Sequence, residues 1–152
     1  MDEKLKDAIH QQRTALAERL RWVHAGGVGV DFSSASNSGV VLRNEIRRNG
    51  ILDPIGNPVG VWISGNVTGN LITDNASGIY SGPTLGITYQ DNTITANGWG
   101  GTRPDGIRAS GSSELIQRNV IADNAGGGVV VPSTTNSIQM SRNSFHGNGT
   151  SG

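Results

Sequence analysis

A six-residue phrase, Asn-x-Ile-x-x-Asn, recurs five times in this chain, at 44–49, 70–75, 92–97, 119–124 and 143–148, with Phe145 replacing isoleucine in the last. Successive copies start 26, 22, 27 and 24 residues apart. A period in this range marks a repeat architecture whose units cannot bury an apolar face alone and must stack. Few folds satisfy that constraint.

Aligned on the first asparagine, two columns are apolar in every copy. Three residues earlier stand Val41, Val67, Tyr89, Ile116 and Met140; two residues later stand Ile46, Ile72, Ile94, Ile121 and Phe145. Between them the residues are mostly polar, the in–out alternation of a short strand, then a bend, then a second strand. At the bend, asparagine tolerates the left-handed backbone region, and its amide can bond to the same amide one rung up. The asparagines therefore read as structural ladders rather than ligands. A third strand follows glycine in each unit, at Val30, Val61–Ile63, Ile79–Tyr80, Ile107–Arg108 and Val129–Val131. Three short strands per turn make a parallel β-helix. About five rungs at ~4.8 Å would span ~25 Å.

Glycine and asparagine are absent before Gly26, so composition breaks there. Residues 1–25 predict an amphipathic helix. Asp2 and Glu3 suit its first turn, and Leu5, Ile9, Leu16, Leu20 and Val23 form an apolar stripe that Gly26-Gly27 ends. It would cap the open first rung or oligomerise as a short three-stranded coil. The division is thus 1–25 helix and 26–152 β-helix.

The 152 residues suffice for one domain, and 12 basic against 12 acidic residues give no net charge. That argues against a nucleic-acid or anionic-membrane footprint. With no cysteine there is no disulfide, thiolate nucleophile or thiolate metal site. No apolar run approaches a membrane span. The start lacks the pattern of a signal peptide, which fits a cytoplasmic, virion-associated or recombinant protein.

The phrases Asn-Leu-Ile-Thr-Asp-Asn at 70–75 and Asn-Val-Ile-Ala-Asp-Asn at 119–124, with a following Gly-Ile or Gly-Val, resemble the right-handed parallel β-helix repeats of the pectate-lyase-like superfamily. The resemblance covers about residues 27–149 and implies an all-β, right-handed β-helix. The superfamily includes pectate lyases, polygalacturonases, uronate epimerases, copper-maturation proteins and phage tailspikes. The resemblance therefore implies a polysaccharide ligand, and it says so by fold analogy alone.

The residues that such chemistry would need are scattered. No lysine follows Lys6, neighbouring copies place no acids in one column, and the polygalacturonase-like acid motifs are missing. His146-Gly147 is half of a Gly-His-Gly element and reads as a surface or ladder residue. No catalytic residue, metal ligand or cofactor is assigned. Asp91 and Arg118 share an outward column and read as an exposed ion pair.

Trp62, Tyr80 and Arg108 follow inward-pointing residues on three successive rungs and should stand outward in one line. The longest loops, 51–58 and 98–105, bring Asp53, Trp99, Arg103 and Asp105 toward that face. Aromatic rings beside Arg and Asp suit a sugar; they equally suit a protein interface, or simple packing of loop over aromatics. The candidate binding residues are Trp62, Tyr80, Arg108, Trp99, Arg103 and Asp105.

The sequence ends just after Asn148 without an evident cap, so its last rung is expected to be covered by another subunit, chain or segment. The favoured reading is a non-catalytic structural or binding module of an assembly. It would be homo-oligomeric, with a trimer preferred, would resemble a virion spike or decoration protein, and would have polysaccharide as a candidate ligand. The alternatives are a polysaccharide lyase, hydrolase or uronate epimerase, whole or truncated, and an engineered β-helix scaffold, against which the irregular rung lengths speak.

Overall fold

The structure is a computed structural model that describes residues 28–32, 39–50, 59–82, 85–99, 103–132 and 137–149, and the backbone of 16–18 and 21–23. It is an all-β, right-handed parallel β-helix of three sheets with six, six and five strands. Sheet A stacks Leu16–Glu18, Gly39–Leu42, Gly65–Thr68, Thr88–Gln90, Glu114–Gln117 and Ile138–Ser141. Sheet B stacks Arg21–Val23, Glu45–Arg47, Leu71–Thr73, Thr93–Thr95, Val120–Ala122 and Ser144–His146. Sheet C stacks Val30–Phe32, Val61–Ile63, Ile79–Ser81, Ile107–Arg108 and Val129–Val130. Each coil runs A, B, C, and every strand pairs in parallel with its counterpart one coil away.

Register follows the aligned columns. Val67 faces Tyr89 and Tyr89 faces Ile116 along sheet A; Ile46, Ile72, Ile94 and Ile121 align along sheet B. These side chains are buried and, with Val61, Ile63, Ile79 and Ile107 of sheet C, form one continuous core. The columns break at the last coil, where Met140 is 54% and Phe145 48% exposed.

The asparagines form two ladders at the corners between sheets A and B and after sheet B. The Asn92 side chain is representative. Its Oδ1 accepts from the Asn70 backbone N–H (2.9 Å) and from Asn70 Nδ2 (3.0 Å), while its Nδ2 donates to the Val67 carbonyl (2.9 Å). The left-handed residue, however, is not the asparagine. In all ten corners it is the residue before it: Arg43, Arg48, Gly69, Asp74, Asp91, Ala96, Arg118, Asp123, Arg142 and Gly147, with φ between 53° and 66°. The asparagine is needed for its amide, which must turn inward to reach both neighbouring coils. The residue ahead of it makes the bend. Only two of the ten bend residues are glycine. Ala96→Gly should therefore stabilise the fold by about 1 kcal/mol, because a Cβ is penalised by roughly that amount in this region. Urea unfolding of the two proteins would measure it.

The helix expected over residues 1–25 is corrected wherever that segment is described. Leu16–Glu18 and Arg21–Val23 are strands, with Ala17 opposite Val41 and Trp22 opposite Ile46. The segment carries apolar residues five apart at the register of the later copies, though it lacks their asparagines. Helix propensity is a weak preference, and the edge of Gly39–Leu42 offers a full row of backbone partners. Residues 1–15, 19–20 and 24–25 of the expected helix lie outside the described residues.

Candidate functional site

Sheet C presents its outward residues as a column. Asp31 lies beside Trp62, Trp62 beside Tyr80, Tyr80 beside Arg108 and Arg108 beside Val130. Each outward residue alternates with an inward one, so Val61, Ile63, Ile79 and Ile107 anchor the strands in the core while Trp62, Tyr80 and Arg108 stay half-buried on the outer face. The column is thus carried on three coils of regular backbone.

The Trp62 and Tyr80 rings meet edge to face, with centroids 5.4 Å apart and planes at 69°, a preferred aromatic geometry. The Arg103 guanidinium lies 5.0 Å from the Tyr80 ring centroid, within cation–π range. Arg108 Nη1 pairs with Asp105 Oδ2 at 3.0 Å, and that carboxylate is almost wholly buried.

Segment 103–105 is tied down along its backbone. The Ser77 hydroxyl donates to the Arg103 carbonyl, the Gly126 N–H to the Pro104 carbonyl (2.9 Å) and the Gly78 N–H to the Asp105 carbonyl (3.0 Å). Side chains fill the crevice among Tyr80, Arg103, Asp105 and Arg108, so these residues form a preformed cluster with no open cavity between them.

Five of the six residues singled out from sequence thus come together. Trp99 does not join them. It is 66% exposed and overhangs a separate hollow of about 320 Å³ lined by Ala96, Asn97, Gly98, Asp123 and Ala125. Asp53 lies outside the described residues. His146 sits on the outer, exposed side of the last sheet B strand.

Asp91 and Arg118 form the expected exposed pair, at 2.8 and 3.2 Å through two parallel contacts. The Arg118 hydrogen bond holds the Asp91 carboxyl below its usual range, helped by Gln90. Among the described residues no three His, Cys, Asp or Glu side chains gather as a metal cage would require, and no helix is long and apolar enough to cross a membrane.

A family model described as the right-handed beta helix region matches residues 9–152. The chain belongs to that family. The match starts inside the segment where a helix was expected, in agreement with the two strands found there. No curated protein matches the β-helix chain, and no solved structure does.

One residue with chemical character escaped the sequence reading. Glu114 is 1% exposed, inside the β-helix. The signal was available: five residues before each first asparagine stand Gly39, Gly65, Ile87, Glu114 and Ile138, a small or apolar column with a single acid in it.

Proposed function

We propose that this protein is a non-catalytic β-helix module that works by self-association, with the outer face of sheet C as its subunit interface. The observation that carries this reading is the Trp62–Tyr80–Arg108 column with Arg103 laid on Tyr80. Trp, Tyr and Arg are the residue types that dominate interface energetics. Here Trp62, Tyr80 and Arg108 are held on regular strands and the crevice beside them is filled, whereas small-molecule sites are typically concave. On this face and along the corners the polar groups have structural partners: the asparagines are engaged in ladders, Asp105 with Arg108 and Asp91 with Arg118.

Light scattering of size-separated protein at micromolar concentration tests this. A defined oligomer is expected, and Trp62→Ala, with an unchanged circular dichroism spectrum, should weaken association by about tenfold or more. A clean monomer at that concentration rules the interface out.

A second reading, polysaccharide binding, is favoured by the half-exposed indole and phenol rings beside the Asp105–Arg108 pair, which could meet the apolar face and hydroxyls of a sugar. Wild-type glycan retention by a Trp62→Ala, Trp99→Ala double variant would eliminate it.

A further inference from the structure

Inside the β-helix, Glu114 stands in a column otherwise made of Gly39, Gly65, Ile87 and Ile138. The sheet A register puts Ile138 beside Glu114 on one side and, one residue back from the Thr88–Leu115 pair, Ile87 on the other. Glu114 Oε1 accepts the Gly111 N–H at 2.8 Å, but Oε2 is buried with no partner. Tyr89, on the neighbouring strand, is wholly buried, and its hydroxyl also lacks a partner. From sheet C comes Ser81, whose Oγ accepts the N–H of Ser110 (2.6 Å) and of Gly111 (3.2 Å).

These are the groups that face the carboxyl: Tyr89 from sheet A, Ser81 from sheet C, Gly111 from the corner, and isoleucine on either side. The Tyr89 phenol is the titratable one, and no cationic side chain among the described residues acts on Glu114. An ionised carboxylate here would be desolvated without a counter-charge, a costly state. A protonated one is neutral, and its Oε2 becomes a donor.

We propose that Glu114, with Ser81 and Tyr89, forms a proton-binding site in the lumen, so that the fold tightens when the site takes up a proton and loosens when it loses it. The site stands on the inner side of the strands and is independent of what the outer face binds.

Burial raises the Glu114 carboxyl above its ordinary 4.5, with the Ser81 hydroxyl and Gly111 N–H opposing in part. Burial likewise raises the Tyr89 phenol well above 10.0, the Glu114 charge adding to it and Ser81 opposing. The folded state therefore holds the Glu114 proton more tightly than the unfolded chain. This stabilisation is complete below the unfolded value and is lost as pH rises through the folded one.

The test compares urea unfolding of wild type and Glu114→Gln across a pH series from about 4 to about 8, a window that brackets ordinary carboxyl titration. Other titrating groups cancel in the difference. Relative to the glutamine variant, wild type should lose up to about tenfold in its folding equilibrium constant per pH unit above 4.5, until the folded carboxyl has ionised. Parallel pH profiles, or a wild type that gains stability over the variant as pH rises, overturn the proposal. Infrared spectroscopy of wild type gives a second readout that does not depend on the variant folding. A protonated-carboxyl carbonyl band should persist in the folded protein above pH 4.5, and its absence overturns the proposal as well.

Discussion

Asn97→Ala should cost the fold about 3–5 kcal/mol in urea unfolding, a large share of the roughly 5–15 kcal/mol that keeps a domain folded. The Asn97 side chain serves three coils. Its Oδ1 accepts from the Asn75 N–H (3.1 Å) and Nδ2 (3.0 Å), and its Nδ2 donates to the Ile72 carbonyl (3.0 Å) and to Asn124 Oδ1 (2.9 Å). Truncation strands the two Asn75 donors and takes a donor from two acceptors, the Ile72 carbonyl and Asn124 Oδ1. A buried polar group left unpaired costs about 1–3 kcal/mol, and Asn97 is buried. Asn97→Asp separates the two functions of the side chain. It keeps the acceptor and loses the Nδ2 donors, so it should also be destabilised at neutral pH. Asn66→Ala is the control: Asn66 is exposed and accepts one bond, from the Thr88 N–H at 3.0 Å, so its loss should be within about 1 kcal/mol. Equal losses at Asn97 and Asn66 would mean that the ladders contribute little.

The same ladders explain what could be read from sequence. A side chain that bonds to its own counterpart one coil away has to recur at every coil, so the asparagines and the isoleucine between them announce period, register and core together. From that register Trp62, Tyr80 and Arg108 follow as one outward line. Three things did not follow. The bend residue is hidden because its column mixes Arg, Asp, Gly and Ala, with glycine at only two of the ten corners: the fold imposes the left-handed conformation on residues that do not announce it. Residues 16–18 and 21–23 read as helix because their strand pairing depends on a neighbouring edge that local propensity does not see. Trp99 reads with Tyr80 because the long loop 98–105 carries it together with Arg103 and Asp105, but Trp99 follows the corner glycine Gly98, φ 115°, and lies over the Asp123 hollow, whereas Arg103 and Asp105 are drawn back onto sheet C by their backbone bonds.

Gly78→Ala should be the most damaging single-methyl change at the outer face, with a loss above about 3 kcal/mol and disruption of the Tyr80–Arg108 column. Gly78 stands where the chain enters its sheet C strand, and a Cβ there would land inside the Gly106 carbonyl oxygen of the next coil, with Ile94 Cγ2 3.0 Å away. That oxygen also accepts the Ile79 N–H at 2.9 Å, so it cannot retreat without breaking the ladder bond that holds Tyr80 in line. The spacing between parallel strands is fixed at about 4.8 Å, which leaves the methyl no room on that side. Overpacking ordinarily costs about 1–3 kcal/mol, and the expected loss exceeds it because a backbone hydrogen bond fails as well. Gly86→Ala provides the contrast. Gly86 has φ 74° and nothing within 4 Å of a Cβ, so only backbone strain of about 1–2 kcal/mol applies. If Gly78→Ala were no worse than Gly86→Ala, coil spacing at sheet C would be adjustable and the outer column not rigidly preformed. If it unfolds the protein or abolishes self-association while Gly86→Ala does neither, close approach of the coils is what holds Tyr80 and Arg108 in line.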